Sequence, residues 1–306
     1  MISASDLSLP SGFSFADLHA REGLLRIDRR FLEGIALADA ELHDRLLAAR
    51  AGAVPLTAKA ESELLLALAP HLDDFIAQFF GIEAEVSALS SRHHELAPLY
   101  RVKRLFVQRK AMHKYKADAA AAIDGAAAGA QLAALFGEPL TELAFARHVE
   151  LWQQDEPAHA ASLDLALQYA AWAAHTDAGR ARHHAGVLFK APHKLDVQNL
   201  VPVQTAADRG YTEHRFDVSK LRLREGFRLT DRGADLAGAL DEANYCIWCH
   251  EQGKDSCSKG LREKGASGRG ETSFKKSPFG ITLAGCPLEE KISEFHKAKT
   301  EGLVIG

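Results

Sequence analysis

The first 186 residues carry apolar side chains at helical spacing, and this periodicity is the feature that most restricts the fold. Residues 21–52 place leucine, isoleucine and phenylalanine three and four positions apart, until Gly52 ends the pattern. Similar patterns follow from Thr57, a candidate N-cap, and through an alanine-rich stretch that favours close helix packing. Because no β-like alternation of useful length interrupts them, the sequence predicts a mainly α fold.

The character of the sequence changes at residue 187. Residues 187–240 contain two prolines and scattered glycines, which is typical of an extended connector. Residues 241–306 hold all four cysteines and end in a helical pattern that begins with Pro287. We therefore predict an α-helical domain at 1–186, an extended connector at 187–240 and a loop-rich, α-helical module at 241–306.

Composition limits the classes of function and the compartment. The net charge of −4 argues against a general nucleic-acid-binding surface. The first residues include acidic ones and lack the basic start of a secretory signal, and the longest apolar runs are far shorter than the ~20 residues of a membrane span. The sequence therefore predicts a cytoplasmic protein with no membrane span and no nucleic-acid partner. In that reducing compartment, clustered cysteines more often serve metal binding or catalysis than structural disulfides.

The four cysteines are the strongest candidates for a functional site. Cys246, Cys249, Cys257 and Cys286 follow the spacing C-x2-C-x7-C-x28-C-P. Four thiolates suit an iron–sulfur cluster or a structural zinc ion, so spacing alone leaves both open, together with four unligated thiols. Three features favour the cluster: the proline after the last cysteine, the apolar residues around the first pair, and the helical pattern that follows.

Two stretches, "CIWCHEQGKDSC" and "GCPLEEKISEFHKAKTEG", resemble the N-terminal iron–sulfur region of glutamate synthase small subunits and of dihydropyrimidine dehydrogenase. The wider sequence from residue 187 resembles the front of bacterial FAD-dependent pyridine nucleotide-disulfide oxidoreductases. The resemblance implies that the four cysteines ligate a [4Fe-4S] cluster in a ferredoxin-like helical module. That cluster would exchange electrons with FAD and NAD(P)H in a downstream flavin domain of the same polypeptide.

The sequence departs from that family in two respects. Twenty-eight residues separate the third and fourth cysteines, where the related subunits have only a few, and no second cysteine set or dinucleotide-binding motif is present. The resemblance therefore predicts an N-terminal, electron-transferring fragment of a longer flavoenzyme, with no catalytic domain of its own. The alternative is a non-enzymatic adaptor or docking module that is stapled by zinc and binds a protein partner through its helical domain.

Other polar residues carry weaker signals. A basic run at 101–116 lacks acidic residues and can dock an acidic partner or a phosphate, although a solvated helix face is the favoured interpretation. The histidine pairs at 93–94 and 183–184 are predicted to lie on the surface, because adjacent positions do not share a helix face. His193 and His250 are better candidates for a site, and His250 can hydrogen-bond a cluster sulfur or replace a ligand, although a hydrogen-bonded loop histidine is the favoured interpretation. The sequence alone supports no Ser-His-Asp set.

Overall fold

The chain is described by a computed structural model, which confirms the mainly α fold. The residues that the structure describes are 8–52, 55–192, 195–201, 203–208, 210–216, 224–231, 233–252, 255–263, 273–303 and 305–306. Among these residues, no helix is long and apolar enough to cross a membrane.

The helices are numbered α1 to α13 in chain order. Their bounds are Arg21–Ala38, Ala40–Ala51, Ala58–Phe80, Glu83–Val102, Met112–Lys114, Ala117–Ala121, Gly125–Phe136, Glu142–Gln153, Ala160–His175, Asp177–Arg182, Leu236–Asn244, Ser256–Lys259 and Ile292–Thr300. A π-helix, Lys103–Ala111, follows α4, and short 3₁₀ helices lie at Phe15–Leu18 and Cys249–Gln252. Strands β1 (Val203–Asp208) and β2 (Tyr211–Phe216) pair as an antiparallel hairpin.

The chain folds into two compact units. The first comprises Met1–Tyr100 and Ala239–Gly306, and the second comprises Arg101–Gly238. The first unit thus joins the N-terminal helices to the cysteine-bearing residues near the other end of the chain. The division at 186 and 240 that we drew from sequence composition stays a prediction, because a change of sequence texture and a spatial grouping are different properties.

Asp39 divides the long helical pattern of residues 21–52 into α1 and α2. Its backbone is extended, with φ −151°, and its carboxylate accepts a hydrogen bond of 2.9 Å from the N–H of Leu42. The Asp39 N–H closes α1 by donating to the carbonyl of Ile35. The side chain therefore caps the new helix and allows the chain to turn, so that Ile35, Leu42 and Leu46 share one core cluster.

Substituting Asp39 with alanine is expected to lower the free energy of unfolding of the first unit by about 1 kcal/mol, since the N–H of Leu42 loses its side-chain acceptor. Urea unfolding followed by circular dichroism measures the change. Asp44→Ala is the matched control, because this exposed aspartate lies on α2 without a capping role. Equal effects of the two substitutions would contradict the capping role.

Helix α9 forms the centre of the second unit. Helices α6, α7, α8 and α10 and the π-helix pack around it. The core around α9 includes Tyr169 of that helix, which is fully buried and lies next to the rings of Phe145 and Phe189. Phe189 belongs to a loop that a carboxylate holds in place: Glu142 at the start of α8 accepts hydrogen bonds from the N–H groups of Val187 and Leu188, at 2.8 and 2.9 Å.

The C-terminal residues of the first unit lie against α3. Lys291 donates to Glu61 at 2.6 Å, and the hydroxyl of Ser62 donates to the carboxylate of Glu294 at the start of α13. Further along α3, the buried Asp73 accepts hydrogen bonds from the N–H groups of Ile305 and Gly306. These contacts seat the cysteine-bearing module on an N-terminal helix more than 200 positions away in the sequence.

Candidate functional site: the four cysteines

Two cysteines lie in the turn that follows α11. The N–H of Cys246 donates to the carbonyl of Ala243 in a turn just beyond the end of α11, and Cys249 begins the 3₁₀ helix Cys249–Gln252. Between them Trp248 has a φ of +54°, in the left-handed region that few non-glycine residues adopt. The ammonium group of Lys297 on α13 lies 5.6 Å from the Trp248 ring. The tight turn keeps both cysteines at one end of α11.

The fold returns the fourth cysteine to the third across the long insertion. Isolated antiparallel bridges join Arg262 to Phe274 and Lys276 to Thr282, so the described parts of the insertion double back on themselves. The N–H of Cys286 then donates to the carbonyls of Cys257 and Ser258, both at 3.0 Å. Gly285 makes this approach possible, because its φ is +89° and a Cβ there would collide with the backbone of Ser258.

The four thiols are free and differ in their surroundings. Cys257 is exposed, and the other three are partly buried. Burial raises the pKa of the Cys257 thiol, and the nearby charges of Cys249, Cys246 and Asp255 raise it further. The Cys249 sulfur lies 4.0 Å from the hydroxyl of Ser256, the neighbour of Cys257 in the chain. The fold therefore places Cys246 and Cys249 within electrostatic range of Cys257.

His250 connects the cysteine turn to α13. Its Nδ1 lies 2.6 Å from the hydroxyl of Ser293, and that hydroxyl lies 3.6 Å from the sulfur of Cys246. One consistent assignment of protons has the thiol donating to Ser293 and Ser293 donating to Nδ1, which leaves the proton of the neutral imidazole on Nε2. His250 is therefore a buried, hydrogen-bonded histidine. The sequence could not identify Ser293 as its partner, since 43 residues separate the two.

A small cavity lies on the other side of His250. Its volume is ≈ 40 Å³. Two of its lining residues carry a buried polar atom, Nε2 of His250 and Oε2 of Glu294, that has no hydrogen-bond partner among the residues that the structure describes. Sequence reasoning missed this cavity because its polar lining comes from distant segments: Ser62, His250, Asp255, Lys259, Lys291 and Glu294.

Metal binding was the chemistry that the cysteine spacing favoured. Over the described parts of the chain, no three His, Cys, Asp or Glu side chains are grouped so that they could hold a metal ion. The cysteines are brought towards one another, but not into a ready-made ligand set. The ligand roles of Cys246, Cys249, Cys257 and Cys286, and the cofactors named for them, stay predictions.

Three of the seven lysines and arginines in the basic run at 101–116 pair with acidic residues of their own unit. Arg101 binds Glu150, Lys110 binds Glu156, and Lys114 binds Asp164, at 2.6, 3.1 and 2.6 Å. Part of the run forms the π-helix, which sequence periodicity did not predict. Its apolar side is only partly as predicted: Val102 and Phe106 are buried, whereas Leu105 is half exposed. These ion pairs agree with the interpretation of a solvated helix surface.

The histidines differ from their predicted positions. His93 is buried and its Nδ1 lies 3.1 Å from the carbonyl of Leu89. The side chain of His183 is 13% exposed, and its Nε2 lies 2.9 Å from the hydroxyl of Tyr169. The expectation that the histidine pairs lie on the surface is therefore wrong for His93 and His183, because each belongs to a polar contact inside a helical unit, whereas His94 and His184 are exposed as predicted. His193 lies outside the described residues.

Comparison with known proteins relates the chain to one group. A family model described as the RP005 N-terminal alpha-helical domain matches residues 9–81. The uncharacterized protein RP005 of Rickettsia prowazekii (strain Madrid E) is 33% identical over 292 residues, which cover 92% of this chain and 95% of that protein. No solved structure matches the chain.

These findings correct the resemblance drawn from the cysteine motifs. Membership of the FAD-dependent pyridine nucleotide-disulfide oxidoreductases is wrong, because the similarity to RP005 extends along nearly the whole chain and includes its helical N-terminal domain. The predicted electron-transfer function of a [4Fe-4S] module is therefore wrong as well. The zinc-stapled adaptor also lacks support, since no grouped metal ligands occur among the described residues. The physical reason is that C-x2-C and Cys-Pro are short patterns, which turns and helix starts generate in unrelated folds.

Proposed function

Since the chain belongs to the RP005 family, we propose that its C-terminal module is a thiol–disulfide switch seated on the helical N-terminal domain of that family. Helix α3, which carries the contacts to Lys291 and Glu294, lies inside the matched domain. The observation that carries the proposal is that Cys246, Cys249 and Cys257 are free thiols and that Cys246 and Cys249 both lie within electrostatic range of Cys257.

Cys249 and Cys257 are the pair that we expect to oxidise. The charge of Cys249 acts more strongly on the Cys257 thiol than that of Cys246 does, and the Cys249 sulfur lies 4.0 Å from the hydroxyl of Ser256, the residue before Cys257. Cys246 instead has a hydroxyl partner, Ser293, on α13. The disulfide forms when a thiolate of one cysteine attacks a small-molecule disulfide and the thiolate of the other then attacks the mixed disulfide. Each oxidation consumes one molecule of a small-molecule disulfide such as oxidised glutathione and releases two reduced thiols and no other product.

The oxidation state can reach α3 through a short series of contacts. Cys249 immediately precedes His250, whose ring bonds Ser293 at the start of α13. The next residue, Glu294, accepts from Ser62 on α3. Drawing Cys249 towards Cys257 therefore strains the His250–Ser293 contact and loosens α13 on the helical domain. We place the protein in the cytoplasm, where glutathione keeps these thiols reduced until an oxidant accumulates.

Treating the full chain with oxidised glutathione is expected to form one intramolecular disulfide between Cys249 and Cys257. Peptide mapping by mass spectrometry, after free thiols are blocked with iodoacetamide, identifies the pair. Amide hydrogen exchange in α13 should then accelerate about tenfold, which corresponds to about 1.4 kcal/mol of local stability, and reduction should restore the slow exchange.

Cys257→Ser removes the switch, and Cys286→Ser is the matched control, because Cys286 is not among the charges acting on Cys257. The control variant should still form the disulfide and still show faster exchange. Stoichiometric zinc held by the thiols of the purified protein, or a disulfide that leaves α13 exchange unchanged, would contradict the proposal.

A further inference from the structure

The hairpin of β1 and β2 exposes both of its faces. Apart from Glu213, which is partly buried, residues 203–207 and 211–216 are all exposed to solvent. Within the described part of the chain, no third strand pairs with either edge of the hairpin. A two-stranded hairpin is only marginally stable by itself in water, and an exposed strand edge is a template for pairing with a strand of another chain. The hairpin therefore offers an edge on which a further strand can add.

Strand β2 carries one acidic and one basic residue on the same face. Alternate residues of a strand point to the same side, so Glu213 and Arg215 share a face, and His214 between them points to the other. Within one chain the two charges form an ion pair of 2.8 Å, in which the side chain of Arg215 is 64% exposed and that of Glu213 is 35% exposed. Both groups can therefore reach a further charged partner beside the strand.

This order of charges is complementary to itself when two copies of β2 lie antiparallel. Residues directly opposite each other in an antiparallel pair lie on the same face of the sheet, so a two-fold axis perpendicular to the sheet passes through one residue and its copy. With the axis at His214, Glu213 of each chain lies opposite Arg215 of the other, with Cβ atoms about 4.5–5.5 Å apart. With the axis at Glu213, two carboxylates would lie opposite each other, which is destabilising.

The other edge lacks this complementarity, because β1 contains no basic residue and cannot form an ion pair with its own copy. We propose that the chain forms a homodimer through the free edge of β2, in which two hairpins join into one four-stranded antiparallel sheet. Backbone hydrogen bonds between the two β2 strands supply the attraction, and the two pairs of Glu213 with Arg215 set the register. The occupant of the edge is thus a second copy of this chain.

Analytical ultracentrifugation of the full chain, at several concentrations in the micromolar range and with a reductant that prevents disulfides between chains, tests the proposal. The wild type is expected to show a reversible equilibrium between monomer and dimer. Glu213→Arg should weaken dimerisation by about tenfold, because both opposite-charge pairs become like-charge pairs. Glu225→Arg is the matched control, since it breaks an exposed ion pair with Arg228 outside the strands and should leave dimerisation unchanged. A wild-type chain that stays monomeric throughout overturns the proposal.

A charge exchange tests the register directly. Arg215→Glu should weaken dimerisation as Glu213→Arg does, because each variant places like charges opposite each other in its own homodimer. Mixing the two variants should restore dimers, since each arginine of one chain then lies opposite a glutamate of the other. Circular dichroism of each variant checks that the helices remain folded. If the mixture associates no better than the separate variants, or if Glu213→Arg dimerises as the wild type does, β2 does not pair with its copy about His214.

Discussion

Replacing Glu142 by alanine is expected to lower the free energy of unfolding of the second unit by about 3–5 kcal/mol. The carboxylate accepts hydrogen bonds from the N–H groups of Val187 and Leu188, both of which are buried. Without it, two buried donors lose their acceptor, and each costs about 1–3 kcal/mol. Urea unfolding followed by tryptophan fluorescence measures the loss. In a Trp248→Phe background the signal comes from Trp152 and Trp172 alone, which lie on α8 and α9 of this unit.

Two comparisons separate the role of this carboxylate from a general loss of charge on α8. Glu150→Ala removes a carboxylate whose partner, Arg101, is largely exposed, so its effect should stay below about 1 kcal/mol. Gly186→Ala keeps the glutamate at position 142 but adds a Cβ where its carboxylate lies. The substitution should therefore displace the carboxylate and destabilise the unit. If Glu142→Ala has no larger effect than Glu150→Ala, the carboxylate does not hold the 187–189 loop.

The fold class was predictable because helical periodicity is a local property of the sequence. The same property concealed the break at Asp39, because apolar residues continue at helical spacing on both sides of it. The cap itself is a local signal, an aspartate three positions before Leu42, and it identifies the break once capping is weighed beside periodicity. The π-helix at Lys103–Ala111 has no comparable signal, since its composition also suits an ordinary α-helix.

The candidate site was predictable only in part. The cysteines stand out in the sequence, and the fold does bring the third and fourth together, through backbone hydrogen bonds from Cys286 to Cys257 and Ser258. Their neighbours could not be predicted, because Ser62, His250 and Glu294 meet only through tertiary packing of α13 on α3. The short cysteine motif also led to the wrong family. A motif of this kind constrains the local turn but says little about the rest of the fold.

The polar contacts around Glu142 also give the second unit a pH dependence that sequence alone could not predict. The Nδ1 of His183 lies 3.7 Å from the carboxylate of Glu142, and its Nε2 lies 2.9 Å from the hydroxyl of Tyr169. Burial lowers the pKa of His183 to about 4, and the charge of Arg182 lowers it further. Burial has the opposite effect on the acid, since it raises the pKa of the Glu142 carboxyl. Acidification should therefore act on the two groups with opposite sign.

Between pH 7 and pH 4, His183 is expected to remove about 3 kcal/mol of stability from the second unit. Its pKa is about 4 in the folded chain and 6.5 in the unfolded chain, so the unfolded state binds the proton first as the pH falls. The contribution of neutral His183 to the stability of the second unit is complete above about pH 6.5 and is lost as the pH approaches 4. Glu142 offsets part of this loss, because its raised pKa favours the folded, protonated form in acid.

His183→Gln isolates the histidine, because glutamine can still pair with Tyr169 but does not titrate. Urea unfolding at several pH values, read from Trp152 and Trp172, should show that the variant loses less stability on acidification than the wild type. The stability difference between wild type and variant should therefore shrink by about 3 kcal/mol from pH 7 to pH 4. A difference that stays constant over this range would mean that His183 titrates alike in the folded and unfolded chains, and that its burial does not govern the acid stability of this unit.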